Sequence, residues 1–355
     1  MKLIELHIIQ SFPVTCLNRD DVGAPKSAYF GGVPRARVSS QCWKRAIREH
    51  LVTSDKSVLF KGKRTRYITT IIKESMEQKG FSDADSSKYA QMICKQIFGE
   101  KEVSKNEDTT KTMFYFSEEE ISRFINTGLE VVSKEIPEKE KEKELGKACK
   151  KIVKETGIKD MADISLFGRM VANDVNLKIE GAAMFSHAIS THKVENDIDF
   201  FSAVDDLKPG DVEGAGHLGT LEFNSGCYYR YIGLNLDLLK TNLGTAYSVE
   251  EMMEVVKEFI KAAVLAVPNA RKNSMFGFNP PAYVGGVVRS GQPLSMANAF
   301  EKPVKSRDGY IEPSKDTFAK HFQDLKTKYN LNGELLELQS IDGFITKLTE
   351  EVMRS

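Results

Sequence analysis

The chain has 355 residues, 41% of them hydrophobic, which is enough for a substantial core and, at this length, for two structural units or one domain with large insertions. Its 50 basic and 50 acidic residues give a net charge of +0, which excludes polyanion attraction by the molecule as a whole and requires any such site to be local. No apolar run approaches the roughly 20 residues that span a bilayer, and Cys16, Cys42, Cys94, Cys149 and Cys227 show no CxxC or CxH spacing, which argues against a disulfide framework or a zinc cluster.

MKLIELHIIQ places Ile4, Leu6 and Ile8 on one side of a two-residue repeat, predicting a strand over residues 2–10 buried on at least one face. It lacks the basic segment, apolar stretch and cleavage site of a secretory signal, so a cytosolic (cytoplasmic) protein is expected, with no membrane partner. CLNRDDVGAPKSA follows as a polar loop, and Ser39 or Ser40 offers an N-cap for a helix starting near Gln41. From about residue 69 to 156 the text is helical and highly charged, a helical insertion whose Lys/Glu run IPEKEKEKELGKACKKIVKE reads as a solvated face. After ISLFGRM and MFSHAISTHKV, the acidic, Gly- and Pro-containing KVENDIDFFSAVDDLKPGDVEGAGHLGTLEFNSG predicts a protruding loop or hairpin. YYRYIGLNLDLL is strand-like, VEEMMEVVKEFIKAAVLAV is a helix that Pro268 stops, PAYVGGVVR is the last strand, and ELLELQSIDGFITKLTEEVM is a terminal helix. There is no internal repeat, and the order suits an α+β fold, an antiparallel sheet backed by helices.

Within this neutral chain, FGGVPRARVSSQCWKRAIR (residues 30–48) holds arginines and a lysine with no acid among them. At 100° per residue Gln41, Lys44, Arg45 and Arg48 share one helix face, with Trp43, Ala46, Ile47 and His50 on the other. Just before the helix, Arg35, Arg37 and Ser39 alternate with Ala36 and Val38, so both arginines are expected to project to one side. Two basic rows meeting at a helix start suit phosphate, because free N–H groups and the positive dipole end favour anions and Arg or Lys adds charge-assisted contacts. Gly31 and Gly32 would let a polynucleotide backbone come close. A merely solvated basic helix is the alternative.

Other patterns carry less. Asn18 and Arg19 are possible contacts, while the adjacent Asp20 and Asp21 suit loop capping and arginine orientation better than metal-dependent cleavage, which needs converging carboxylates. His187 and His192 are five apart and share no helix face, and His217 follows a long loop, so no metal site is expected. GAGHLG (214–219) matches a dinucleotide fingerprint in letters only, since no buried strand precedes it and no helix follows. Phe200, Phe201 and Val204 stand in the acidic loop, either as a local anchor or as a wedge for a base stack or a neighbouring subunit.

The blocks CLNRDD, FGG with RARVSSQCWKRAIR, ISLFGRM, HAISTHKVENDIDFFSAVDDL, HLGTLEFNSGCYYRY, FNP and PLSMANAFEK, in this order, resemble the CasC backbone subunits of the type I-E CRISPR surveillance complex, Cascade. The resemblance implies an RRM-like (ferredoxin-like) palm over residues 1–68, 161–190 and 221–355, helical fingers over 69–160 and a thumb over 191–220. It implies a non-catalytic subunit, without cofactor or metal, that polymerises with copies of itself along a CRISPR RNA beside other Cascade subunits. Each thumb kinks the RNA, leaving bases free to pair with target DNA. Carried over by position, Asn18, Arg19, Gln41, Lys44, Arg45 and Arg48 resemble backbone contacts, with Ser39 and Ser40 close by. Phe200, Phe201 and Val204 resemble the wedge, and Met170 a further contact at the kink. A second reading comes from related type III backbone subunits, which cleave RNA with a loop aspartate and a metal; Asp20 would fill that role.

Overall fold

The computed structural model describes residues 1–104, 108–154, 158–170, 178–203, 217–269 and 271–354. In chain order its elements are β1 (Lys2–Thr15), β2 (Ser27–Phe30), β3 (Val33–Val38), α1 (Ser40–Val52), β4 (Lys63–Thr65), α2 (Ile68–Glu77), α3 (Asp83–Phe98), β5 (Phe114–Phe116), α4 (Glu118–Val132), α5 (Glu138–Lys154), α6 (Ala162–Phe167), β6 (Ala183–Phe185), β7 (Ala188–Ser190), β8 (Asp197–Ala203), β9 (His217–Asn235), α7 (Leu236–Leu243), α8 (Val249–Leu265), β10 (Tyr283–Ser290), α9 (Ile311–Lys328), β11 (Leu336–Glu337) and α10 (Ile341–Arg354). They form an α+β fold in two compact units, one of Met1–His50, Met184–Asn235 and Phe259–Ser355, the other of Leu51–Ala183 and Leu236–Glu258.

The first unit is built on a sheet in the order β11-β10-β1-β9-β7-β3-β2, with β6 and β8 also pairing with β9. β1 lies between β10 and β9 and is antiparallel to both, Ile4 facing Val288 on one side and Leu234 on the other. A central strand covered on both faces has no solvent side, which is why Glu5, His7 and Gln10 are buried along with the apolar residues between them. Each of these side chains has a polar partner inside, although His7 Nε2 and Gln10 Oε1 have none among the described residues. Glu5 takes the Arg289 guanidinium, the Tyr231 hydroxyl and the Leu294 N–H; His7 Nδ1 meets the Tyr229 hydroxyl at 2.9 Å; Gln10 Nε2 donates to the Asn279 carbonyl at 2.6 Å.

One core cluster joins Tyr229 and Tyr231 to Phe318 and Phe322 of α9, and another joins Phe12, Val38 and Tyr228 to Trp43 of α1. Gly286 of β10 has a packing reason: a Cβ there would stand 2.7 Å from the Phe344 ring and 2.9 Å from Leu348, both of α10. The second unit packs α2, α3, α4 and α5 around a cluster that includes the stacked rings of Phe98 and Phe114, with Phe116 edge-on to Phe98. Glu120 completes a capping box with Ser117 at the start of α4 and also pairs with buried Arg169, 2.8 Å away.

Three elements differ from the expectations above. β1 runs to Thr15, through a register shift between Phe12 and Thr15. YYRYIGLNLDLL is strand only to Asn235, after which α7 begins with Asp237 in its first turn, where an acid complements the helix dipole. ELLELQS is no part of the terminal helix: Leu336 and Glu337 pair with Gly286 and Gly285, and the helix starts at Ile341.

The expectation that Arg35 is displayed with Arg37 does not hold, because distant backbone carbonyls draw Arg35 into the core. It is fully buried on β3, donating to the carbonyls of Phe30 (3.1 Å), Ser190 (2.8 Å), Phe300 (2.8 Å) and Glu301 (3.2 Å). Four of its five N–H donors are spent on these backbone carbonyls, so its role is to fasten the β2–β3 hairpin to distant chain. Gly31 belongs to the same junction. Its φ is +61°, and a Cβ would fall 1.6 Å from the Glu301 carbonyl oxygen, so the close approach it permits is to the protein's own backbone.

Arg35→Met leaves several buried carbonyls without a donor, and we expect it to lower stability by about 3 kcal/mol in urea unfolding, against less than about 0.5 kcal/mol for Arg37→Met. Equal costs would contradict this placement. A second test concerns pH. Burial, reinforced by Arg289, lowers the His7 pKa from 6.5 to about 3. The unfolded chain therefore binds this proton first, so stability present above pH 6.5 is lost as pH falls towards 3. Between pH 7 and 5 the loss from this group is about 2 kcal/mol, and His7→Phe should remove it. An unchanged pH slope in the variant would contradict the assignment.

Candidate nucleic-acid interface

Helix α1 divides as its spacing predicts. Trp43, Ala46 and Ile47 are buried, Gln41 and Arg45 are exposed, and Lys44 and Arg48 are half-buried on the outer side. Its start is capped by Ser39, whose Oγ accepts from the Cys42 N–H at 3.3 Å, while Ser39's own N–H donates to Asn18 Oδ1 at 2.9 Å. Asn18 is thus the clasp between the loop and the helix.

The loop is itself braced. Asp20 Oδ1 accepts the N–H groups of Val22 (3.0 Å) and Ala24 (2.9 Å), Arg19 bridges to Pro25, and the Lys26 N–H donates to the Asn18 carbonyl at 2.9 Å. Asp20 therefore shapes the turn that displays Arg19, an Asx-turn role. Among the described residues no group of three His, Cys, Asp or Glu is placed to hold a metal ion. A groove of about 700 Å³ runs between loop and helix, lined by Asn18, Arg19, Asp20, Asp21, Arg45 and Glu49 among others. Arg45 is tied to Glu49 at 2.7 Å, and that hydrogen bond and charge raise its pKa further. Lys44 holds its ammonium 5.4 Å from the centre of the Phe185 ring.

Arg37 lies beside the helix start, donating from Nε to the Ser27 carbonyl at 3.2 Å and placing Nη1 3.4 Å from His187 Nδ1. His187 also accepts the Ser40 N–H at 3.3 Å. Asn18, Arg19, Arg37, Ser39, Ser40, Gln41, Lys44, Arg45 and Arg48 are therefore gathered around one helix and its entry loop, with Arg35 withdrawn into the core. His187 joins them unannounced: its spacing from His192 argued only about metal, and a residue 147 positions from Ser40 gives no local signal.

Beneath the helix, Arg230 is buried with its guanidinium 4.0 Å from the Trp43 ring and donates from Nη1 to the Ala263 carbonyl at 3.3 Å. Burial lowers its pKa to about 9, which leaves it charged at neutral pH. It adds a positive charge under the basic face.

The aromatic pair sits on a two-stranded ribbon in which β8 runs antiparallel to β9, Phe200 opposite Thr220 and Phe201 opposite Gly219. Neighbours in a strand point to opposite faces. Phe200 is 79% exposed, on the same side as exposed Ile198, whereas the Phe201 ring covers Gly219, where a Cβ would stand 2.4 Å from it. The two rings cannot act from one face. Val204 lies outside the described residues. At the ribbon base Asn224 donates to Asn196 Oδ1 (3.1 Å) and Asn196 donates to the Pro25 carbonyl (3.2 Å), linking it to the loop that presents Arg19. His217 and Gly219 of GAGHLG are strand residues, not a helix start. Met170, in the second unit, is 81% exposed and follows the buried Arg169.

No curated protein matches this sequence. A chain of a "CRISPR RNA-guided surveillance complex, pre-nicking" is similar over 97% of this chain and 99% of its own length, at 25% identity and a TM-score of 0.83. A chain of a second "CRISPR RNA-guided surveillance complex" shares the fold over the same 97% and 99%, at 23% identity and a TM-score of 0.70. The model of one family, described as CT1975-like protein, matches residues 4–349. The match takes in the sheet, the basic helix and its loop, and the ribbon alike, and the chain belongs to the family of CT1975-like proteins.

Proposed function

We propose that this protein is a non-catalytic backbone subunit of a CRISPR surveillance complex that binds the CRISPR RNA along its sugar-phosphate chain. The observation that carries this reading is the outer face of α1: Gln41, Lys44, Arg45 and Arg48 in a row, with Arg19 and Arg37 flanking the helix start, in a chain with no net charge. Cations on a rigid helix contact phosphate without reading bases, which suits a protein that must hold any guide sequence. The similarity to a chain of a CRISPR RNA-guided surveillance complex supports it.

In this reading the RRM-like palm is residues 1–68, 161–190 and 221–355, the helices of residues 69–160 are the fingers, and residues 191–220 are the thumb, whose Phe200 wedges the RNA. Copies of the chain follow one another along the guide beside other subunits, and target DNA is selected by pairing with the exposed bases. Placement in type I-E rests on the order of the sequence blocks. Met170 is a further RNA contact. Asp20 stays an orienting residue, in keeping with the two N–H groups on its Oδ1.

Lys44→Glu with Arg48→Glu should weaken binding of a CRISPR repeat-spacer RNA by about 100-fold or more, since each lost charge-assisted contact is worth about 1.5–3 kcal/mol. Filter binding reads the affinity and circular dichroism the fold. A folded double variant that binds as before would sink the proposal. Phe200→Ala should leave more of the affinity in place but blur the regular spacing of nuclease-protected intervals on the RNA; an intact interval pattern would return Phe200 to a local packing role.

A further inference from the structure

We propose that His187 is an additional RNA-contacting residue and that its imidazole takes up a proton when a phosphate of the guide settles at the start of α1; this rests on the RNA-binding function proposed above. The geometry fixes the starting state. His187 Nδ1 faces the backbone N–H of Ser40 at 3.3 Å and Arg37 Nη1 at 3.4 Å. Both groups can only donate, so Nδ1 must offer its lone pair and the ring is neutral, with its one proton on Nε2.

The charges that act on the ring are Arg37, from β3, and Lys26, just before β2, both positive. From α1 it meets the Ser40 amide, and Lys44 of the next turn stands over Phe185, two residues before His187. Burial first, and then Arg37 and Lys26, hold the His187 pKa below its ordinary value. A phosphate oxygen arriving here opposes these influences. It offsets the two cations and accepts a hydrogen bond from a doubly protonated ring, so the proton becomes favourable. Protonation also ends the acceptor role of Nδ1 and frees the Ser40 N–H and Arg37 Nη1 to turn to the same anion, while Arg37 Nε stays on the Ser27 carbonyl. Two donors and the acceptor that occupies them in the free protein thus become three donors for one anion.

The sign follows. The His187 pKa is low in the free protein and higher in the complex, so affinity rises as pH falls through the histidine range, by up to about tenfold for each unit of difference. The test is fluorescence anisotropy of a labelled CRISPR repeat-spacer RNA with the full chain, at pH 8 and pH 5.8 in low salt, together with calorimetry at pH 6.5 in two buffers of different ionisation enthalpy. His187→Asn keeps an oxygen acceptor for Ser40 but cannot charge, and His187→Gln repeats the test if the first variant fails to fold. The wild type should gain about three- to tenfold more affinity on acidification than either variant, and should take up protons on binding where the variants do not. Equal pH dependence and equal proton uptake would overturn the role of His187 while leaving RNA binding intact. A wild type that binds RNA at neither pH would overturn the RNA-binding reading and this inference with it.

Discussion

The outer face of α1 is only as useful as the hold on its inner face, and that hold is the stacking of Trp43 on the buried Arg230. The ring lies 4.0 Å from the guanidinium, inside a cluster shared with Phe12, Val38 and Tyr228. Because Trp43 is fully enclosed, the helix cannot roll, and the row from Gln41 to Arg48 keeps one orientation to solvent. Arg230 has Nε and Nη2 without hydrogen-bond partners among the described residues, an arrangement that is costly in a core. The cation–π contact offsets part of that cost, and the charge it preserves adds to the positive potential at the surface above.

A neutral chain that must hold a polyanion has to separate its charges in space. Here the cations are displayed by short, braced elements: a loop closed by Asp20, a hairpin fastened by Arg35, and a helix capped by Ser39 and clasped by Asn18. The exposed acids Asp197 and Asp199 are carried on the ribbon, where they discourage phosphate contact except through an apolar group such as Phe200. Asn196 and Asn224 connect the two regions, so the ribbon and the loop bearing Arg19 share one footing. Rigidity of this kind lowers the conformational cost of gripping a flexible strand.

Local periodicity made much of this legible. The two faces of α1, the buried first strand, the ribbon and the α8 helix ending before Pro268 all follow from spacing and from turn residues. What escaped was set by long-range partners. Arg35 and Arg37 occupy equivalent positions in an alternating pattern, yet the carbonyls of Phe300 and Glu301 draw one of them inward, and nothing within ten residues of Arg35 announces those groups. His187 is the converse case, a residue with no motif of its own that folding brings to the helix start. The Phe200–Phe201 pair was visible as a pair, but only strand geometry shows that the two rings face opposite ways. α9 went unread because its apolar positions, Phe318 and Phe322, are sparse among charges and are buried by the sheet rather than by a strong stripe of their own.

The most direct test of the RNA-holding reading is to purify the chain after co-expression with a CRISPR array, measure its absorbance ratio at 260 and 280 nm, and size any RNA extracted from it. A high ratio with a discrete RNA species is the predicted result. A low ratio with a folded, monodisperse protein and no RNA would contradict it.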